Sequence, residues 1–286
     1  PPIELSLITP QGAPITHLIL TTKSPSTAAA ITPLLHRLGA GSTILFTQNG
    51  VGAVEEVDAL FPDGKKPTYL SAIVIHGVFS TGQFSATHAG VADLKIGPVM
   101  TKGGDGNEKP LGAEARWLLD TILSSEPLAA REVDAGELLG VTLEKLVANA
   151  VINPLTAIFR IPNGDVLDPS LLHLRKALVD EASAVILAHL STLGSMDDLT
   201  AERFSARRLG AMVEGVCTAT KGNRNSMLQD VEAGRGTEVE YINGWIVRKG
   251  RELGVETGVN GVVLGMVERG EVRGLDEAGE LVGGVV

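Results

Sequence analysis

The first part of the chain alternates short apolar runs with segments whose apolar residues recur at helical spacing. The runs at 16–22 and 42–47 predict buried β-strands, because they are short, rich in Ile, Leu and Thr, and end at turn residues. The segments at 24–38 and 51–60 that follow them predict helices. Strand, helix, strand, helix is typical of a parallel, doubly wound sheet, in which ligands bind beyond the carboxyl ends of the strands.

Three further apolar segments change the pattern from parallel to antiparallel. Residues 69–80 and 83–89 predict a hairpin, and 92–96 predicts one more strand, so we expect an antiparallel extension of the sheet. His76 and His88 lie on this extension. Because no third ligand of suitable spacing accompanies them, we interpret both as hydrogen-bonded sheet residues and predict no metal site.

Beyond a helix predicted at 113–124 and a link at 125–134, the pattern is almost wholly helical. The predicted helices are 135–152, 169–193, 199–219, 237–253 and 259–268. The change of pattern predicts two domains, an α/β Rossmann-type domain at 1–134 and an all-α domain at 135–286.

Polar side chains interrupt the first of these helices at regular intervals. Lys145, Asn149 and Asn153 stand at i, i+4 and i+8, so on a helix they share one face. They can be a solvated stripe of an amphipathic helix or one wall of a polar pocket, since buried polar groups need partners. Pro154 should kink or end the helix, and the turn Pro162-Asn163-Gly164 follows. An Asn-bearing turn beside the stripe favours the pocket.

Composition and charge limit the classes of partner that this chain can bind. The 286 residues are 44% hydrophobic and carry a net charge of −10, without a basic run that would bind a phosphate backbone, so we expect no nucleic-acid partner. We also expect no membrane span. Cys217 is the one cysteine, so neither an intrachain disulfide nor a cysteine zinc cluster can form. A soluble protein that binds a small molecule fits these limits.

Three ordered stretches resemble one family. They are KLVANAVINPLTAIFRIPNG at 145–164, TTKSPST through ILFTQNGVGAVEEV at 21–57, and SMLQDVEAGRGTEVEYINGWIVRKGRELGVETGVN at 226–260. Each is similar to a motif of the ketopantoate reductases (2-dehydropantoate 2-reductases), and the order and approximate spacing agree as well. The resemblance implies NADPH-dependent reduction of 2-dehydropantoate, a small 2-keto acid, to pantoate in coenzyme A biosynthesis. It also implies a Rossmann domain followed by a helical domain like that of 6-phosphogluconate dehydrogenase.

The resemblance assigns the catalytic and substrate-binding roles. It implies that Lys145 is the general acid and Glu238 the anchor of the substrate hydroxyl. The implied substrate-binding residues are Asn149, Asn153, Asn163, Asn223 and Ser226. Two of these residues have an ordinary alternative: Glu238 suits the first turn of a helix, and Ser226 suits a helix N-cap.

The resemblance also implies that Lys23, Asn49 and Gly50 bind the cofactor NADP. Spacing alone leaves Lys23 open as a solvated loop lysine and Asn49 as a turn residue. The expected strand, G-x-G-x-x-G, helix unit that cradles the pyrophosphate does not occur in the sequence. Gly39-Ala40-Gly41 follows a helix and precedes a strand, which is the wrong order. We therefore expect the first β-α-β unit of the family to be missing from this chain.

Two hypotheses of different class follow. The first is a reductase of ketopantoate or of another branched 2-keto acid; the second is a catalytically silent binding or structural protein derived from the family. The expected location is the cytoplasm, with mitochondria as the alternative, and a homodimer is compatible with the resemblance.

Overall fold

The computed structural model describes residues 11–82, 85–90, 92–100, 110–195 and 197–283. The chain divides into two compact units. The first consists of Pro1–Gln48 with Ala53–Gly140, and the second of Asn49–Gly52 with Val141–Val286. The predicted domain boundary at 134/135 coincides with the start of a long helix. The two compact units meet slightly later, between Gly140 and Val141 of that helix. The Asn49–Gly52 turn belongs to the second unit.

The first unit contains the strands. They are β1 (His17–Leu20), β2 (Thr43–Phe46), β3 (Thr68–Val74), β4 (Gly77–Gly82), β5 (Ser85–Gly90), β6 (Leu94–Pro98) and β7 (Ala130–Glu132). In the described residues, one sheet has the order β1-β2-β3-β6-β7. β1, β2 and β3 are parallel, β6 is antiparallel to β3, and β7 is parallel to β6. The predicted parallel sheet and its antiparallel extension through β6 are confirmed. Among the described residues, β4 and β5 pair only with each other and form a separate two-stranded sheet. The prediction that this hairpin extends the main sheet is therefore wrong.

Helices cover both faces of this sheet. They are α1 (Thr27–Ile31), α2 (Ala53–Asp58) and α3 (Ala113–Leu123). Ile44 of β2 packs with Ile31 and Val57 in one apolar cluster, while its neighbour Leu45 packs with Leu119 in another. Successive strand residues face opposite sides, so both faces of the sheet are buried, as a doubly wound sheet requires.

The single helix predicted at 24–38 is wrong in detail. It is a short α1 between two 3₁₀ turns at Ser24–Ser26 and Thr32–Arg37. Pro25 and Pro33 each stand at the start of one of these turns. Because proline lacks the N–H that would continue an α-helical ladder, the segment divides at these positions.

The second unit is helical. Its helices are α4 (Ala135–Phe159, which starts in the first unit), α5 (Leu172–Thr192), α6 (Asp198–Arg203), α7 (Ala206–Ala219), α8 (Ser226–Glu232), α9 (Val239–Leu253), α10 (Gly258–Glu268) and α11 (Glu280–Gly283). No strand occurs among the described residues after 140, which confirms an α/β part followed by an all-α part. The predicted helix 199–219 is two helices, because the Ser205 hydroxyl accepts a hydrogen bond from Arg208 N at 3.3 Å and starts α7 afresh.

Helix α4 continues through Pro154 to Phe159, so the prediction that it ends near 152 is wrong. Pro154 has no N–H for the carbonyl oxygen of Ala150, four residues earlier. The side chain of Asn243 supplies the missing donor, because its Nδ2 lies 2.9 Å from that oxygen. A bond from α9 therefore satisfies the carbonyl group that Pro154 leaves unpaired in α4.

Helix α4 also corrects the expectation that no segment has the character of a membrane span. Among the described residues it is the one helix long and apolar enough, with a mean hydropathy of 1.3 in its most apolar window. Of that window, 72% is buried within the structure. The buried core helix of a soluble protein can be equally long and apolar, so length and hydropathy are weak evidence for a membrane span here.

Candidate functional site

Helix α4 carries the predicted polar stripe. Lys145, Asn149 and Asn153 lie on one uninterrupted helix, with the first two half-buried and Asn153 only 7% exposed. In the described part of the chain, the side-chain amides of Asn149 and Asn153 make no hydrogen bond. Two amide groups beside a lysine therefore remain available to bind a polar ligand.

Glu238 stands directly before α9 and lies within electrostatic reach of Lys145. Burial lowers the pKa of the Lys145 ammonium, and the Glu238 carboxylate raises it, which leaves a pKa of about 8 against 10.5 for a free lysine. The side chain of Glu238 does not cap α9. The ordinary explanation of Glu238 as a first-turn helix carboxylate is thus insufficient, and the pair can hold and release a proton near neutral pH.

The turn at Asn49 and Gly50 packs against the start of α9. Asn49 Nδ2 donates to Glu238 Oε2 at 3.0 Å, and Val51 N donates to Tyr241 O at 2.9 Å. Gly50 has a φ of +84°, and a Cβ there would lie 2.5 Å from the Tyr241 carbonyl oxygen. Glycine is therefore required at this turn, and the turn directs the Asn49 amide to Glu238.

The structure thus brings Lys145, Glu238 and Asn49 together. The contact between Asn49 and Glu238 was not foreseen, because 189 residues separate them and no local pattern signals such a pairing.

Asn163 lies in a separate buried network. Its Nδ2 donates to Thr220 Oγ1 at 2.9 Å, and its Oδ1 accepts from Asn225 Nδ2 at 2.9 Å. The Asn225 amide also donates to Thr156 Oγ1 of α4 at 2.7 Å. These bonds fix the turn after α4 onto the loop before α8. The role of Asn163 as a substrate ligand stays a prediction; its described contacts are internal.

Asn225, and not Ser226, is the N-cap of α8. Asn225 Oδ1 accepts from Met227 N and Leu228 N, both at 3.1 Å. The alternative that Ser226 caps this helix is therefore wrong by one residue. Ser226 is the first residue of α8 and is exposed, as is Asn223. Sequence reasoning missed Asn225, although an asparagine directly before a helical run is typical of an N-cap.

Two parts of the chain match profiles of one known family. Residues 2–100 match the profile described as "Ketopantoate reductase PanE/ApbA", and residues 137–271 match "Ketopantoate reductase PanE/ApbA C terminal". The chain belongs to the ketopantoate reductase family. This ketopantoate reductase family member is 31% identical over 254 residues to the 2-dehydropantoate 2-reductase of Vibrio cholerae, which covers 88% of the chain and 76% of that relative.

A second relative of this family member is the ketoisovalerate reductase of Gibberella fujikuroi. The two are 31% identical over 296 residues, covering 91% of the chain but only 65% of the relative's length. Among solved structures, D-mandelate dehydrogenase with NADH and anilino(oxo)acetate has a TM-score of 0.71 at 21% identity, covering 94% and 79% of the two chains. At this identity the match supports the fold alone.

The ketopantoate reductase family implies a nicotinamide cofactor, and the residues at the carboxyl end of β2 fit it in part. Gln48 Nε2 donates to Thr22 Oγ1 at 3.2 Å, whereas Gln48 Oε1 is buried and has no hydrogen-bond partner among the described residues. Lys23, just past β1, is exposed. An acceptor is therefore left at the strand ends, where such sheets bind ligands. No G-x-G-x-x-G motif occurs in the sequence to cradle a pyrophosphate.

His76 and His88, on the hairpin side of the first unit, are hydrogen-bonded, as expected. His76 Nε2 lies 2.8 Å from Leu128 O, and His88 Nε2 lies 2.9 Å from His76 Nδ1. In the described residues, no three His, Cys, Asp or Glu side chains form a group suited to a metal ion.

Proposed function

We propose that this protein reduces 2-dehydropantoate to pantoate with NADPH as the hydride donor. The observation that carries the proposal is the pairing of Lys145 with Glu238 beside the unbonded amides of Asn149 and Asn153. Membership of the ketopantoate reductase family and the names of its relatives support the same reaction.

Lys145 serves as the general acid. When the nicotinamide nucleotide is bound, it supplies the hydride that reaches the carbonyl carbon. The Lys145 ammonium donates a proton to the carbonyl oxygen, which becomes the hydroxyl group of the product, and solvent then reprotonates the amine. A pKa of about 8 leaves the ammonium mostly protonated at neutral pH while making it a stronger acid than a free lysine.

The other residues orient the substrate. Glu238 accepts a hydrogen bond from the substrate hydroxyl, and the amides of Asn149 and Asn153 hydrogen-bond its oxygen atoms. The exposed side chains of Asn223 and Ser226 hold the carboxylate end, while Lys23, Asn49 and Gly50 face the cofactor. Asn49 then contacts both the cofactor side and Glu238, which ties the position of one ligand to the other.

A second candidate is the reduction of another branched 2-keto acid, favoured by the ketoisovalerate reductase among the relatives. Ketoisovalerate lacks the hydroxyl that Glu238 would bind. A site built to bond a hydroxyl discriminates strongly against an analogue without one, so the ratio of kcat/KM for the two keto acids separates the candidates.

The proposal is tested by incubating the full-length protein with NADPH or NADH and each keto acid, and by following the decrease in the absorbance of the reduced nicotinamide. Turnover of ketopantoate with NADPH is expected. Calorimetric binding of the keto acid without turnover on either cofactor would favour the catalytically silent alternative. A homodimer and a cytoplasmic location stay predictions, measurable by light scattering and by imaging of a tagged protein.

A further inference from the structure

The carbonyl group of Ala150, one residue after Asn149 in α4, lacks its helical donor because residue 154 is a proline. Asn243 of α9 is fully buried and donates from Nδ2 to this carbonyl oxygen at 2.9 Å. Its Oδ1 has no hydrogen-bond partner among the described residues. A buried, unpaired acceptor is costly, so the value of this side chain lies in its donor group.

Asn243 is itself held by a buried network. The same Nδ2 donates to Asn260 Oδ1 at 3.0 Å, and Asn260 Nδ2 donates to Glu181 Oε2 at 2.7 Å. Glu181 also accepts from the backbone N–H groups of Val259 and Asn260 at the start of α10, both at 2.8 Å. The network fixes the orientation of the Asn243 amide from α5 and α10, so its bond to Ala150 is preorganised.

The position of this bond relates it to the catalytic pair. Asn243 follows Glu238 by five residues, and Ala150 follows Lys145 by five residues. Five residues of helix span about 7.5 Å. The Asn243–Ala150 bond therefore ties α9 to α4 about 7.5 Å along the chain direction from the Lys145–Glu238 pair, so a slip between the two helices would also displace that pair.

We propose that Asn243 is a positioning residue, which holds Glu238 and the Lys145 stripe in register by bonding the carbonyl that Pro154 leaves free. The proposal rests on the proposed function for its kinetic consequence, but its geometric part does not. Asn243 touches neither substrate nor cofactor; it acts through Ala150.

A double-mutant cycle with Pro154 tests this mechanism. Pro154→Ala restores a backbone N–H to Ala150, so Asn243 should then matter less. In the full-length protein, Asn243→Ala should lower kcat for ketopantoate by roughly 10–100-fold, the scale of a small misplacement of reacting groups, with little change in KM for NADPH. In the Pro154→Ala background, the same substitution should lower kcat by less than about threefold. Equal losses in both backgrounds would overturn the proposal.

A second readout needs neither cofactor nor turnover. The pKa of Lys145 can be measured from the pH dependence of its acetylation, followed by mass spectrometry. Asn243→Ala should move this pKa by at least about half a pH unit, and the double variant should restore it. If the wild type proves inactive on every keto acid, the proposed function fails while this measurement still decides the role of Asn243.

Asn260→Ala is a graded control, because it removes an amide that helps to orient Asn243 but keeps the Asn243 donor group that bonds the Ala150 carbonyl. It should lower Tm about as much as Asn243→Ala, yet lower kcat less. If Asn243→Ala alone is too unstable to purify, the double variant is compared with Pro154→Ala: nearly equal kcat and an equal Lys145 pKa support the proposal, and a loss of kcat of about 10-fold or more overturns it. A lowered Tm with unchanged kcat and unchanged Lys145 pKa would show that Asn243 is only structural.

Discussion

Replacing Glu238 by glutamine removes the charge that keeps Lys145 protonated, while leaving a side chain of the same size. Burial of Lys145 lowers its pKa, Glu238 raises it, and the balance is about 8. An opposite charge within a few ångströms shifts a pKa by about one unit or more. Without the carboxylate, the pKa of Lys145 should fall to roughly 7.

The assay is the pH dependence of kcat/KM for ketopantoate, which reports the pKa values of the free enzyme. The active form of a general acid is the protonated one, so activity is lost as pH rises through the pKa. The alkaline limb should begin near pH 8 in the wild type and about one pH unit lower in Glu238→Gln.

Glu240→Gln is the matched control. Glu240 is exposed, lies on the first turn of the same helix and pairs with Arg248, so its substitution makes the same change of charge two residues away. It should leave the alkaline limb in place. The reasoning is refuted if Glu238→Gln does not move the limb, or if Glu240→Gln moves it as far.

Three further predictions concern the same site and its supports. Glu238→Ala should raise KM for ketopantoate more than for ketoisovalerate, because only the former has the hydroxyl that Glu238 bonds; equal increases would remove the anchor role. Gly50→Ala should impair catalysis and lower Tm, since a Cβ would lie 2.5 Å from the Tyr241 carbonyl oxygen; calorimetry should show no such decrease in Tm for Gly41→Ala, where a Cβ would meet no atom within 4 Å. Asn225→Ala should destabilise the protein by about 1–3 kcal/mol in urea unfolding, as it loses a helix cap and buried bonds, whereas exposed Asn223→Ala should cost much less.

The parts of the fold that local patterns encode were predictable from sequence. β1 and β2 follow from short apolar runs, and the stripe of Lys145, Asn149 and Asn153 follows from helical spacing. The single strand predicted at 69–80 is instead two strands, β3 and β4. β7 was missed because it has three residues, of which none is fully buried.

Features that depend on distant residues were not predictable in the same way. Helix α4 passes Pro154 because Asn243, far along the chain, supplies a donor to Ala150. Proline propensity alone predicted a kink or an end at this position, since it counts only the local loss of a hydrogen bond. The contact of Asn49 with Glu238 is a tertiary event of the same kind.

The role of Lys145 is tested most directly by Lys145→Ala in the full-length protein, assayed with ketopantoate and NADPH under saturating conditions. A positioned general acid contributes about 10²–10⁴-fold, so kcat should fall by that factor while the affinity for NADPH, measured by calorimetry, changes little. A kcat near that of the wild type across the pH range would contradict the account, and Lys145 would then be an ordinary half-buried lysine on a helix.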